Sequence, residues 1–128
     1  MVLKNLKSIE PEINEVFPIN IKSCRITPRP NREMYWFDDN TIQVVNFSAD
    51  SYYEVGITFS FMEWGDILKL FDFFVDKIDM GANSFIFILP FEETRYVARF
   101  ISNISIDVQK GNKMSLDKID LLIIGVND

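Results

Sequence analysis

Residues 52–81, YYEVGITFSFMEWGDILKLFDFFVDKIDMG, change their hydrophobic period part-way along, and that change decides the fold. Tyr53, Val55, Ile57, Phe59 and Phe61 alternate with Glu54, Gly56, Thr58 and Ser60, which is the period-two pattern of a strand with one buried face. From about Glu63 the apolar residues recur at three- and four-residue spacing instead. Trp64, Ile67, Phe71, Phe74, Val75 and Ile78 fall on one side, with Asp66, Lys69, Asp72, Asp76, Lys77 and Asp79 mostly opposite. This spacing predicts one amphipathic α-helix over about residues 63–80. Asp66 or a residue just before it caps the start, and Gly81 suits the left-handed position after the end.

Strand-like segments lie on both sides. Before the helix, Ile19–Thr27 and Thr41–Phe47 read as strands, with SADS (48–51) as a turn. Between them Pro28–Asn40, PRPNREMYWFDDN, reads as a loop or the tip of a long hairpin, because Pro28 and Pro30 block ladder hydrogen bonds. After the helix, SFIFIL (84–89) is a short apolar strand that ends at Leu89-Pro90-Phe91. Glu92-Glu93 turn the corner, TRYVARFIS (94–102) returns antiparallel, and NISIDVQ (103–109) continues the pattern. KGNK (110–113) is a turn, and SLDKIDLLIIGV (115–126) is the last strand, apolar on both faces towards its end. The order predicts an α+β, mainly β domain: an antiparallel β-sandwich or barrel flanked by one helix. Residues 1–18 form a lead-in bounded by Pro11 and Pro18, read either as a first strand or loose tail, or as an arm for a neighbouring subunit. Residues 19–128 form the single β domain.

Composition excludes several functions. The chain has 128 residues, 48% of them hydrophobic with twelve Phe, enough to fill one core and too apolar for general disorder. No apolar run approaches the roughly 20 residues of a membrane helix, and residues 1–16 lack a signal-peptide core, so the expectation is no membrane insertion and a cytosolic origin. Thirteen Lys and Arg against nineteen Asp and Glu give a net charge of −6, which disfavours nucleic-acid binding. Histidine is absent, which removes the commonest general base and metal ligand together. Cys24 is the single cysteine and reads as a small buried thiol. No glycine-rich phosphate cradle or Cys/His cluster is present. The carboxylate pairs Asp38-Asp39, Glu92-Glu93 and Asp76 with Asp79 read as solvated. We therefore expect no enzyme, with no catalytic, cofactor-binding or metal-binding residues.

What remains are contact candidates. Tyr35, Trp36 and Phe37 sit together in a polar loop, where exposed aromatics mark an interface and buried ones form a lid. Arg95 and Arg99 share one strand face roughly 13 Å apart, too far to clamp one small anion. They either pair with carboxylates of the same chain or make a subunit contact.

From about Asn40 onward, the succession of YYEVGITFSF, ILKLFDFFVDKIDMG, SFIFILPF, TRYVARFIS and DKIDLLIIGV resembles the minor tail and distal-tail proteins of long-tailed bacteriophages. That resemblance implies a tail-tube-like β domain assembled into rings, most simply hexamers, around a DNA channel. Its partners would be the tail tube and the tip or baseplate hub, and its location the virion tail after folding in the host cytoplasm. The interface would include Tyr35, Trp36, Phe37, Arg95 and Arg99. A second reading of the same residues is a β-sandwich binding module that stacks a carbohydrate or peptide on Trp36.

Overall fold

The computed structural model describes residues 3–29, 32–39, 41–46, 52–59, 62–90, 92–110, 113–116 and 118–127. Its strands are β1 (Arg25–Arg29), β2 (Arg32–Trp36), β3 (Ile42–Asn46), β4 (Tyr52–Thr58), β5 (Phe85–Phe87), β6 (Tyr96–Phe100), β7 (Ile106–Gln109), β8 (Lys113–Leu116) and β9 (Lys118–Val126). The helix α1 (Trp64–Asp72) runs on into a π-helical stretch, Phe73–Lys77. The fold is α+β and mainly β, with an antiparallel sheet and one helix, as the change of period predicts.

The main sheet has five strands in the order β1-β4-β9-β6-β5, every pair antiparallel. β9 is its centre because Ile119, Leu121 and Ile123 alternate inward between β4 and β6. Val55 and Ile57 of β4 join them, with Tyr96, Ala98 and Phe100 of β6 and Phe85 and Phe87 of β5. The helix closes this face with Leu70, Phe73, Phe74 and Ile78, and β8 adds Leu116. Phenylalanine rings fill the space edge to face: Phe73 lies 5.2 Å from Phe85 and Phe74 lies 5.0 Å from Phe100. Such pairs contribute about 0.5–1.5 kcal/mol each beyond their burial.

The helix face differs from the expected one. Ile67 and Leu70 are buried, whereas Trp64 and Phe71 point outward at 45% and 44% exposure with Leu68 at 43%. The apolar arc is wider than the sheet can cover, and Leu70 and Phe73 take its middle. The π stretch adjusts the phase: the Ile78 N–H donates five residues back to the Phe73 carbonyl at 3.1 Å. The extra residue per turn lets adjacent Phe73 and Phe74 both reach the core. The helix then stops in three left-handed residues, Asp79, Met80 and Gly81. At Gly81 a Cβ would lie 2.7 Å from the Phe74 ring, so only glycine fits.

The lead-in does not hang free. Ile86 and Val97 are fully buried although strand alternation turns them away from the helix. Residues 3–17 form a strap whose middle crosses that opposite face, while Leu3 and Phe17 near its ends join the core. Val16 bridges Ile86 on the outer edge of β5, and Ser8 bridges Val126 at the end of β9, both in parallel orientation. Gly125 makes room for the strap. A Cβ there would come within 2.5 Å of Ile9 Cγ1 and 2.8 Å of the Lys7 carbonyl. Phe17 ends the strap in the core, against the rings of Phe73, Phe85, Phe87 and Phe100.

Two strand boundaries also move. Ile19–Cys24 carry no regular structure, and the first strand begins at Arg25 and runs to Arg29. Ile19, Ile21 and Cys24 pack against the core without pairing. The closing segment divides, Lys113–Leu116 pairing with β7 and Lys118–Val126 forming the sheet's centre. The expected turn at 48–51 and the middle of the one at 110–113, residues 111–112, lie outside the described residues.

Candidate assembly interface

Within the stretch read as a loop or hairpin tip, Pro28 and Arg29 end β1 and Arg32–Trp36 form one side of a hairpin. Pro28 lies in β1, the sheet's edge, where a residue without an N–H is tolerated. β2 and β3 then pair from Arg32↔Asn46 to Trp36↔Ile42. At the tip the Phe37 N–H donates to the Thr41 carbonyl at 3.0 Å. Asp39 Oδ1 accepts both the Thr41 N–H, at 3.1 Å, and the Thr41 hydroxyl, at 2.6 Å. An aspartate that bonds the backbone two residues on fixes a turn, which is why the chain reverses here. The Thr41 hydroxyl and N–H hold the Asp39 carboxyl below the usual range, so the turn keeps its anion at neutral pH.

The ribbon is an arm. Among the described residues no other strand or helix contacts β2 or β3. Five residue pairs at about 3.4 Å each give it a length of roughly 17 Å. Trp36 is 70% exposed, and Phe37 and Ile42 are exposed beside it on the tip. The Tyr35 side chain lies outside the described part of the structure.

The arginines are placed elsewhere. Arg99 donates to the Ala82 carbonyl at 2.9 Å and pairs with Glu12 of the strap. Its partner is thus a carboxylate of its own chain, supplied by a segment far away in sequence. Arg95 is exposed next to β6, and its carbonyl accepts the Asn127 N–H. Arg99 lies within β6 and Arg95 just before it, and β9 and β4 separate β6 from the strand leading into the arm. Neither arginine therefore joins the aromatics in one patch.

The sheet's two edges are unequal. Glu15–Phe17 occupy that of β5, exchanging backbone bonds of 2.8 and 2.9 Å with Ile86. Among the described residues the outer edge of β1 is unpaired. It carries Arg25, Pro28 and Arg29, residue types that discourage pairing with another edge. Arg29 also pairs with Glu54 of β4 at 2.8 Å.

An open groove of about 750 Å³ runs between Val16–Lys22 and Ile88–Pro90 with Glu92. Its walls are chiefly Phe17, Ile19, Ile21, Leu89 and Pro90, and Glu92 Oε1 accepts the buried Tyr96 hydroxyl at 2.8 Å. Cys24 lies at a smaller neighbouring hollow, and burial pushes its thiol above the usual range. Among the described residues no three Cys, Asp or Glu side chains are grouped to hold a metal ion, and no helix is long and apolar enough to cross a membrane.

The sequence singled out Trp36 and Phe37 but missed Ile42 and the outer helix residues Trp64, Leu68 and Phe71. Ile42 was legible as the first apolar residue of its strand, and only the register places it opposite Trp36. Compared with known proteins, the chain matches no family model, no curated protein and no solved structure.

Proposed function

We propose that this protein is a non-enzymatic structural subunit of a bacteriophage virion: a tail-tip or distal-tail protein that forms a ring, most simply a hexamer. The ring joins the tail tube to tip or baseplate proteins. One observation carries the reading: a two-stranded arm, which no other strand or helix contacts among the described residues, ends in exposed Trp36, Phe37 and Ile42. A two-stranded ribbon is marginal in water by itself, and leaving a Trp and a Phe exposed on it forgoes burial worth about 1.5–3 kcal/mol per large apolar side chain. Both are recovered when a neighbouring subunit covers the tip. The mainly β sheet with its flanking helix and the sequence's resemblance to tail proteins supply the choice among assemblies.

Native mass spectrometry and light scattering at micromolar concentration test this, with and without a tail-tube partner. The parent chain is expected to associate. Trp36→Ser with Phe37→Ser is expected to be monomeric with an unchanged melting temperature. A parent chain that stays monomeric and binds no tail protein overturns the proposal. Loss of carbohydrate or peptide binding in the double variant, with assembly untouched, favours the binding module instead.

A further inference from the structure

We propose that the strap, residues 3–17, is exchanged between subunits: in the assembled protein it leaves its own sheet and docks in the same place on a neighbouring copy. This rests on the assembly reading above and names the element that links one copy to the next. The docking site is already visible within one chain. It consists of the β5 edge at Ile86, the end of β9 at Val126, the recess over Gly125 and the aromatic pocket for Phe17. A strap from a second copy makes these contacts unchanged, so only the connection to the body differs between the closed and exchanged forms.

That connection is built to move. Pro18–Ser23 contain no helix or strand, and one side of the hinge faces the 750 Å³ groove instead of packed side chains. Swinging it away gives up the packing of Ile19 and Ile21 against the core, while its groove side has no neighbours to lose. Pro18 holds Phe17 in extended backbone, so the chain enters the hinge in a fixed direction. Six hinge residues span at most roughly 20 Å when extended, enough to reach an adjoining subunit. The strap is held by backbone bonds at Lys7–Ile9, Ile13 and Glu15–Phe17 and by buried Leu3 and Phe17, and a neighbour's site makes each of these contacts again. When other contacts hold two copies together, the neighbour's site is presented at millimolar effective concentration and competes with the chain's own.

Two variants in a Cys24→Ser background test this. One carries Ser8→Cys and a mass tag, and the other carries Val126→Cys. Each has one thiol, at positions that bridge each other, so a mixed disulfide between the two forms only across chains. The variants are mixed, assembled, oxidised and run on a non-reducing gel. The expected result is a mixed covalent dimer that depends on assembly and is lost in the Trp36→Ser, Phe37→Ser background. A chain carrying both cysteines is run in parallel. If its assembled fraction contains only internally linked monomers and the mixture gives no mixed dimer, exchange is overturned while assembly stands. If light scattering shows no assembled fraction at all, both exchange and the assembly reading are overturned.

Discussion

Gly125 shows how one missing side chain governs a long-range contact. It sits in the row Ile86–Val97–Gly125 across three strands, and the strap crosses directly over it. Gly125→Ala would ordinarily be harmless in a strand, yet here the added carbon meets Ile9 and the Lys7 carbonyl. Overpacking of this kind costs about 1–3 kcal/mol. The expected outcome is a lower urea midpoint with faster amide exchange at Ile9 and Val126, while Ile123 keeps its protection. An unchanged midpoint would remove the strap from the list of stabilising elements. Asp39 acts at the same scale. Its folded pKa is depressed, so its contribution to the arm's turn is present above the unfolded value of about 3.9 and disappears as pH falls through the folded value. The Thr41 amide resonance is expected to move over that acid range and to lose the transition in Asp39→Ala. Neither effect is legible in the residue letters, because a glycine's neighbour and an aspartate's acceptor geometry exist only once the chain has folded.

The helix teaches the corresponding lesson for elements. Its existence and approximate length follow from the spacing of its apolar residues, but its buried side does not. Nine of the residues from Trp64 to Ile78 are apolar, and several rotations bury a comparable area. The sheet selects one because Phe85, Phe87 and Phe100 leave spaces that fit Leu70, Phe73 and Phe74, and the π stretch supplies the necessary rotation. Leu70→Ala is therefore expected to cost about 2–5 kcal/mol by leaving a cavity. Leu68→Ser, two positions earlier and on the outer side, is expected to stay within about 0.5 kcal/mol. Thermal melts of the two variants separate them; equal losses would contradict the orientation of the helix. The arm likewise was partly legible. Two prolines and a cluster of polar residues announced irregular structure, whereas the ladder between β2 and β3 depends on a register of partners six to fourteen residues apart.

At the scale of the whole molecule, the strap makes the lead-in part of the domain. Phe17 alone is worth about 3–5 kcal/mol on truncation to alanine, and removing the strap also uncovers Ile86 and Val97. Against a net stability of about 5–15 kcal/mol, deleting residues 1–17 is expected to abolish cooperative melting. Circular dichroism would show this, and a truncated chain that still melts sharply near the parent temperature would refute it. The same contacts account for Arg99, whose carboxylate partner Glu12 stands 87 residues away and could not be paired with it by reading along the chain.

Periodicity in the chain determined the local elements: where strands alternate, where the helix begins and that one mainly β core forms. It could do so because burying one face of a strand or helix imposes a repeat on neighbouring residues. Tertiary structure alone decided that the lead-in closes the β5 edge, that Arg99 is used internally, and that Trp36, Phe37 and Ile42 share an exposed tip. Those outcomes depend on which distant surfaces meet, and contacts between distant surfaces leave no period in the sequence.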